Sequence, residues 1–329
     1  MAERPRDDVL LDVRSLRAAF GSREHPVTVV DGLTYRVHAG EAVAIVGESG
    51  SGKTIGVRAL LGLLPRGAFV AGGSAMFDGR ELLTLSDAEL RKVRGRRIAM
   101  VFQNSASAMN PTLTLERQLT EHLIWHGLGS RTEARLRAIQ ALGDVGIAEP
   151  ERRIRMYPFQ LSGGMRQRAM IAMAIATAPD LLIADEPTTG LDVTLQRQIL
   201  DLLADFARRG MGVLMITHDL GVARYLCNET VVMYSGQIME RAPTAALVDA
   251  PVHPYTIALV DASLEVGAGD RQLRAIGGMP PDPRNRPKGC PFHPRCPVRD
   301  AIRCLEPQAL SRVGANHDAA CWRVGSPNA

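Results

Sequence analysis

The chain has 329 residues, and its 39 Lys and Arg against 35 Asp and Glu give a formal net charge of +4. A hydrophobic share of 46% and a charged share of 22% are ordinary for a globular protein and exclude a disordered or fibrous one. So small a charge does not indicate nucleic acid, and we expect no nucleic-acid partner. The longest apolar run, Ala169–Ala176, is far shorter than the ~20 residues that cross a bilayer.

The N-terminus and the cysteines indicate a compartment. The first eight residues carry charges without an apolar core, which excludes a secretory signal and predicts a cytosolic chain. Thiols stay reduced there, so clustered cysteines indicate a metal site before disulfides. Cys227 stands apart from the other four cysteines, which fall within the last forty residues: Cys290, Cys296, Cys304 and Cys321.

Hydrophobic patterning predicts strands that alternate with helices, which is typical of a parallel sheet covered by helices. Residues 9–20 and 27–37 are predicted strands around a turn, and Glu41–Val46 is a predicted buried strand. Thr54–Leu64 is a predicted helix that ends before Pro65. The later predicted elements are a helix around 164–177, a strand over Leu181–Asp185, a helix about 193–208 and a strand over Val213–Thr217.

Two regions depart from this alternation. Residues 105–160 are polar with a helical pattern, and Ser130 with Glu133 forms a predicted capping box. That helix is expected to carry one apolar side, made of Leu136, Ile139, Leu142 and Val145. We interpret the region as a helical insertion. Beyond about residue 245, frequent prolines indicate a separate C-terminal extension.

A phosphate-binding motif follows the third predicted strand. Gly47–Thr54 fits G-x-x-x-x-G-K-[ST], between a strand and a helix as the motif requires. Its backbone N–H groups would converge on phosphate oxygens, Lys53 would reach the β- and γ-phosphates, and the Thr54 hydroxyl would bind Mg²⁺. The alternative is a glycine-rich turn that matches by chance. The chain has only three lysines, and this position keeps the compact ammonium that suits such a pocket.

An acidic pair ends the strand over Leu181–Asp185. Parallel strands place such residues at the carboxyl edge of a sheet, so Asp185 would hold Mg²⁺ through water. Glu186 would orient or deprotonate the attacking water. A solvated acidic turn is the alternative reading.

Leu161–Met165, which reads LSGGM before Arg-Gln-Arg, resembles the signature of ABC transporter ATP-binding subunits. The resemblance covers roughly residues 8–245. It implies an α/β fold: a P-loop NTPase core with an antiparallel β subdomain and a helical insertion, plus a small Cys/Pro-rich C-terminal domain. The implied domains are 1–245, with a helical subdomain about 104–162, and 246–329.

The resemblance also implies a site. Gln103 is similar to the Q-loop glutamine, Asp192 to the D-loop aspartate and His218 to the H-loop histidine. Glu186 and His218 would be catalytic, and Thr54, Gln103 and Asp185 would bind Mg²⁺. Two cassettes would pair head to tail, each signature closing on the ATP of its partner. The implied nucleotide contacts are Phe20, Gly47, Ser49, Gly50, Gly52, Lys53, Thr54, Gln103, Ser162, Gly163, Gly164, Asp185 and Asp192.

Four stretches resemble the oligopeptide/dipeptide importer branch: Leu182–Val193, Gly163–Arg168, Val252–Thr256 and Gly289–Pro297. One departure is Gly190, where alanine is usual. The implied partners are a second, distinct ATP-binding subunit, two membrane permease subunits and an extracytoplasmic peptide-binding protein. The chain would work on the cytoplasmic face of the inner membrane. The alternatives are a non-transport ABC ATPase, a cassette that binds ATP without cleaving it, and an importer of a nickel chelate or glutathione.

The four tail cysteines run Cys290-x5-Cys296-x7-Cys304-x16-Cys321. Zinc sites usually show C-x₂₋₄-C pairs, which these spacings lack, and four thiolates also suit an iron–sulfur cluster. The resemblance implies a [4Fe–4S] cluster on these cysteines. Zinc and plain buried thiols stay open as alternatives.

Overall fold

The computed structural model describes residues 9–103, 109–263 and 276–324. The chain divides into two compact units, each built from separated stretches of sequence. Unit 1 contains residues 9–10, His38–Glu41 and Leu85–Leu214. Unit 2 contains Leu11–Val37, Ala42–Thr84 and the chain from Met215 onward. The start of the predicted helical insertion, residues 104–108, lies outside the described residues.

The regular elements follow the predicted alternation. The strands are β1 (Val9–Gly21), β2 (Pro26–His38), β3 (Ala42–Val46), β4 (Ala68–Phe77), β5 (Arg80–Glu81), β6 (Ile98–Val101), β7 (Leu181–Asp185), β8 (Gly212–Thr217), β9 (Glu229–Tyr234), β10 (Gln237–Pro243), β11 (Ser311–Gly314) and β12 (His317–Ala319). The α-helices are α1 (Lys53–Leu60), α2 (Asp87–Val93), α3 (Leu115–Trp125), α4 (Arg131–Asp144), α5 (Pro150–Arg153), α6 (Gly163–Ile175), α7 (Val193–Arg208), α8 (Leu220–Leu226), α9 (Thr244–Asp249) and α10 (Pro254–Ser263).

Among the described residues, unit 1 contains parallel strands together with helices α2 to α7. Strands β6 and β7 run parallel, with Ile98 opposite Leu181 and Val101 opposite Ala184. All five residues of β7 are buried, as expected for a strand covered on both faces. This pairing brings the ends of β6 and β7 to one edge.

Helix α4 confirms the capping box and corrects the predicted apolar side. Ser130 accepts a hydrogen bond from the Glu133 main chain, and the Glu133 side chain accepts one from the Ser130 N–H. Leu136 is 60% exposed, so its placement on the buried side was wrong. The helical period of 3.6 residues puts a different stripe inward. That stripe is Ala134, Ala138, Ala141, Leu142 and Val145.

Unit 2 contains an antiparallel sheet with the order β2-β1-β4-β5. Strands β1 and β2 confirm the two strands predicted at the N-terminus. In a second sheet β3 pairs with β9 in parallel, β9 pairs with β10, and β10 pairs with β12, the last two antiparallel. All five residues of β3 are buried, as predicted for this strand.

Two local details differ from the sequence expectation. Helix α1 ends at Leu60 rather than Leu64, because the chain turns at Gly62, whose φ is 60°. Cys227 follows the last residue of α8 instead of lying within a helix, but it is buried, as predicted for a core cysteine.

Within unit 2, the C-terminal segment is attached to β10 through a buried carboxylate. Glu240 of β10 is fully buried and accepts hydrogen bonds from the main-chain N–H groups of Val252 and His253. The His317 ring lies 2.7 Å from the same carboxylate, and β12 pairs with β10 through Ala319 opposite Glu240. Among the described residues no helix is long and apolar enough to cross a membrane.

His122 of α3 should make the stability of the protein depend on pH. Burial, together with the His126 ring 4.8 Å away, lowers the pKa of its ring to about 4. Between pH 6.5 and 4 the unfolded chain binds a proton that the folded chain excludes, so the free energy of unfolding falls with the pH. We expect protonation of this residue in the unfolded chain to lower the free energy of unfolding by about 3 kcal/mol across that window and by nothing above it.

Urea unfolding at several pH values measures this loss. His122→Gln should flatten the dependence below pH 6.5. The matched control His25→Gln, at an exposed position between β1 and β2, should leave the dependence unchanged. Equal slopes for the parent and His122→Gln would contradict the assignment.

Candidate functional site

The predicted phosphate loop joins buried strand β3 to helix α1 within unit 2. Gly52 caps the helix with a φ of 96°, and a Cβ there would lie 2.6 Å from the Val29 carbonyl oxygen. Only glycine fits this left-handed, crowded position. The loop therefore turns sharply into the helix N-terminus, whose main-chain N–H groups and dipole favour a bound anion.

Lys53 concentrates positive charge at this loop. Its side chain is 5% exposed, and Nζ donates to the carbonyl oxygens of Gly47 at 2.6 Å and Glu48 at 2.8 Å. A third contact reaches Ser51 Oγ at 3.4 Å. The loop itself thus holds the ammonium. An anion bound by the N–H groups of the loop would also be within reach of Lys53.

The remaining predicted residues of unit 2 lie at element ends. Ser49 and Gly50 are exposed in the loop, and Thr54 is half-buried in the first turn of α1. Phe20 is half-buried near the end of β1, opposite Ala68 of β4. His218 is exposed directly after β8.

Unit 1 brings together two residues predicted from different motifs. Gln103 Nε2 donates to Glu186 Oε2 at 2.7 Å, and Thr189 Oγ1 contacts the same oxygen at 3.0 Å. The contact follows from the fold, because Gln103 and Glu186 each follow a strand of the parallel pair β6 and β7. Asp185, the last residue of β7, is 1% exposed.

The Glu186 backbone adopts a conformation that costs energy. Its φ is 46°, in the left-handed region that residues with a side chain seldom enter. Such strain, of order 1 kcal/mol or more, is typical of functional sites. The residue in this conformation is the one whose carboxylate accepts the Gln103 hydrogen bond.

The signature residues begin helix α6. Ser162 is its N-cap and accepts a hydrogen bond from the Met165 N–H at 3.3 Å, while Gly163 is exposed. Within the same helix, Gln167 Nε2 donates to the Pro187 carbonyl oxygen at 2.7 Å. The signature helix is therefore fastened to the turn that carries Glu186.

The predicted D-loop aspartate begins the next helix. Asp192 caps α7 by accepting a hydrogen bond from the Leu195 N–H at 2.9 Å. The Leu195 side chain packs directly against Gly164, and a Cβ on Gly164 would overlap it. The signature is thus in contact with the helix that Asp192 begins, through a position that has no room for a side chain.

The four tail cysteines line one cavity of unit 2. Cys290, Cys296, Cys304 and Cys321 surround it together with His253, His293 and Trp322. Cys290 Sγ lies 3.8 Å from His253 Nε2, and the Cys290 N–H donates to the Cys304 carbonyl oxygen at 2.9 Å. Burial raises the pKa of the Cys290 thiol to about 11 and raises those of Cys296 and Cys321.

Two residues that contact the phosphate loop were missed from the sequence. Tyr255 and Arg295 both bind Glu48, the second residue of the loop. Each lies in a stretch that marks the importer branch, but nothing in the sequence pairs either of them with position 48.

Comparisons with known proteins agree with this geometry. A family profile described as ABC transporter matches residues 30–189. The dimeric structure of the ATP-binding cassette MJ0796 in a post-hydrolysis state, bound to ADP and Pi, has a TM-score of 0.63 and 29% identity. The match covers 71% of this chain and 98% of that one. Fold and motifs together define an ABC-type ATPase cassette.

Sequence relatives identify the branch. The oligopeptide transport ATP-binding protein OppD of Salmonella typhimurium is 45% identical over 96% of this chain and 94% of its own. The dipeptide transport ATP-binding protein DppD of Escherichia coli is 42% identical over 95% and 96%. The probable peptide ABC transporter ATP-binding protein y4tR of Sinorhizobium fredii is 46% identical over 98% and 97%.

A second profile, described as the oligopeptide/dipeptide transporter C-terminal region, matches residues 239–304. The chain belongs to the oligopeptide/dipeptide family of ABC transporter ATP-binding subunits.

Two neighbouring glycines of the signature differ in their surroundings, since Gly164 is buried against Leu195 and Gly163 is exposed. Substituting each in turn should show the effect of packing at Gly164. Gly164→Ala forces Leu195 and α7 to move, so we expect a loss of about 1–3 kcal/mol in the free energy of unfolding. The matched control is Gly163→Ala, where an added Cβ has nothing within 4 Å and should cost little. Chemical denaturation of both variants measures the difference, and equal stability would contradict the packing argument. Adding Leu195→Ala to the Gly164→Ala variant should restore part of the lost stability, because it removes the side chain that the new Cβ meets.

Proposed function

We propose that this subunit energises import of di- and oligopeptides across the cytoplasmic membrane. The supporting observation is that relatives with 42–46% identity over 94–97% of their own length are peptide transport ATP-binding proteins. We assign residues 1–245 to the nucleotide-binding domain, with a helical subdomain about 104–162, and residues 246–329 to the C-terminal domain.

The assembly that follows from this proposal has several chains. A second ATP-binding subunit, a distinct homologous chain, pairs head to tail with this one. Two membrane permease subunits form the path, and an extracytoplasmic protein delivers the peptide. The subunit itself works peripherally, on the cytoplasmic face of the inner membrane.

Nucleotide binding begins at the phosphate loop of unit 2. The loop N–H groups and Lys53 hold the phosphates, and Phe20 stacks on the adenine. Ser162, Gly163 and Gly164 present the α6 N-terminus to the nucleotide of the partner cassette, with Asp192 beside them. The lysine geometry supports this role, because its ammonium already lies against the loop carbonyls.

Hydrolysis in this class depends on positioning and charge stabilisation. The oxygen ligands of Thr54, Asp185 and Gln103 suit Mg²⁺, which when bound offsets the charge of the phosphates. Glu186 orients or deprotonates the attacking water, and its 2.7 Å contact with Gln103 supports that placement. His218 donates to the γ-phosphate.

We also propose that the tail cysteines hold a [4Fe–4S] cluster. A zinc ion needs four ligand atoms ~2.3 Å from one point. In the described part of the chain, no three His, Cys, Asp or Glu residues are arranged to hold a metal ion, yet four thiols line one cavity. Four cysteine thiolates are the ligand set of a [4Fe–4S] cluster, and this ligand set supports the proposal.

The raised thiol pKa values fit the same proposal. Burial raises the thiol pKa values of Cys290, Cys296 and Cys321, and a bound cationic group would offset this by stabilising their thiolates. Such a cluster would cross-link the tail and add a redox-active centre.

Co-expression with the neighbouring permease and binding-protein genes tests the transport function. In reconstituted vesicles, di- or oligopeptides delivered by the binding protein should stimulate ATP hydrolysis. Glu186→Gln should lower the rate at least about 100-fold and trap an ATP-bound pair of cassettes, because the attacking water loses its base. Unaltered turnover in that variant would contradict the mechanism. Stimulation by a nickel chelate or glutathione but by no peptide would contradict the cargo.

Anaerobic purification tests the cluster. We expect broad violet absorption, with ~4 iron atoms per chain and a similar amount of acid-labile sulfide. Cys304→Ser should lose both, whereas Cys227→Ser, a buried cysteine that does not line the cavity, should keep them. One colourless zinc ion per chain, or no metal, would contradict the cluster and leave the ATPase assignment untouched.

A further inference from the structure

The C-terminal segment binds the phosphate loop at Glu48. Arg295 Nη1 donates to Glu48 Oε2 at 2.6 Å, and Nη2 donates to Oε1 at 3.0 Å, so the ion pair is bidentate. The Glu48 main-chain N–H donates to Tyr255 Oη at 2.9 Å. Both the side chain and the main chain of this loop residue are therefore held by the tail.

Several further hydrogen bonds fix the orientation of the Arg295 side chain. Its side chain is 4% exposed, whereas that of Glu48 is 25% exposed. Its other hydrogen bonds go to the carbonyl oxygens of Ile276 at 3.0 Å and Gly277 at 2.7 Å, and to Tyr234 Oη at 3.1 Å. A guanidinium with this many partners presents its fork to the carboxylate in one fixed geometry.

The electrostatics of the pair favour the charged form of Arg295. Burial alone would lower the pKa of Arg295, but its hydrogen bonds to Glu48 and Tyr234 outweigh burial and raise it. Removing one partner would leave the other charge poorly compensated in a largely dry environment, which is costly.

Glu48 in turn holds the lysine that binds phosphate. Lys53 Nζ donates to the Glu48 carbonyl oxygen at 2.8 Å and to the Gly47 carbonyl oxygen at 2.6 Å. A continuous series of contacts therefore leads from Arg295, through the Glu48 side chain and carbonyl, to the Lys53 ammonium. Each step is a hydrogen bond of ordinary length.

We propose that Arg295 is a positioning residue for the phosphate loop, so that nucleotide affinity depends on the C-terminal segment. By fixing Glu48 it keeps the loop in its binding conformation before ATP arrives. A loop ordered in advance loses less conformational entropy when ligand binds, which raises affinity. The residue acts through Glu48 and does not itself touch the nucleotide.

A double-mutant cycle tests this in the full-length chain. Isothermal titration with Mg²⁺-ATP, in a Glu186→Gln background, gives the Kd for Arg295→Gln, Glu48→Gln and the double variant. We expect each single variant to raise the Kd about tenfold and the double variant to raise it little further, because both remove one interaction. Arg295→Lys, which keeps the charge but not the fork, should fall between.

Controls separate positioning from general stability. Arg284→Gln, in the same segment but 75% exposed and paired with Asp282, should leave the Kd unchanged. In the parent background, Arg295→Gln should raise the KM for ATP more than it lowers kcat. Tyr255→Phe removes only the hydroxyl that accepts from the Glu48 N–H, and should raise the Kd several-fold even if Arg295→Gln fails to fold.

Three results would overturn the proposal. One is Arg295→Gln with a lower melting temperature and a parental Kd, which would make the pair merely structural. A second is a double variant whose Kd increase is the product of the single increases. The third applies if Arg295→Gln does not fold: it is an unchanged Kd in Tyr255→Phe.

Discussion

The parallel pairing of neighbouring strands is the constraint on which the functional residues of each unit depend. Parallel strands leave a sheet at the same edge, so the loops that follow them must meet. In unit 1, Val101 lies opposite Ala184, and the next residues along bring Gln103 to Glu186. In unit 2, Val46 lies opposite Val232, and beyond them the Gly236 N–H donates to the Ser51 carbonyl oxygen at 2.9 Å.

The features that could be predicted from the sequence are those encoded over a few neighbouring residues. The phosphate loop needs eight consecutive positions, and the α4 capping box needs Ser130 and Glu133, three residues apart. Their geometry is set by local hydrogen bonds, so spacing alone predicts them. The buried side of α4 was misjudged because Leu136 is apolar and lies on the exposed side of a helix whose core contacts are made largely by alanines. Apolar character does not by itself determine burial.

Contacts between distant residues are the part that sequence spacing could not supply. Glu48 and Arg295 belong to different elements, and no period or motif relates them. The tail cysteines show the same limit in another form. Four cysteines indicated a thiolate site, but their irregular spacing did not predict how the four sulfurs are arranged. Their common cavity is created by a succession of short turns, one of them His293–Arg295, that bring separated sulfurs around His253.

The grip of the tail on Glu48 has a thermodynamic consequence, because coupling between two binding events is reciprocal. If the docked tail favours ATP, then ATP favours the docked tail by the same free energy. Arg295 immediately precedes Cys296. Tyr255, whose hydroxyl accepts a hydrogen bond from the Glu48 N–H, lies two residues after His253, and the His253 ring contacts Cys290. Docking of the C-terminal segment and occupancy of the phosphate loop are then linked quantities, so the cellular nucleotide supply would bias how firmly the segment is held.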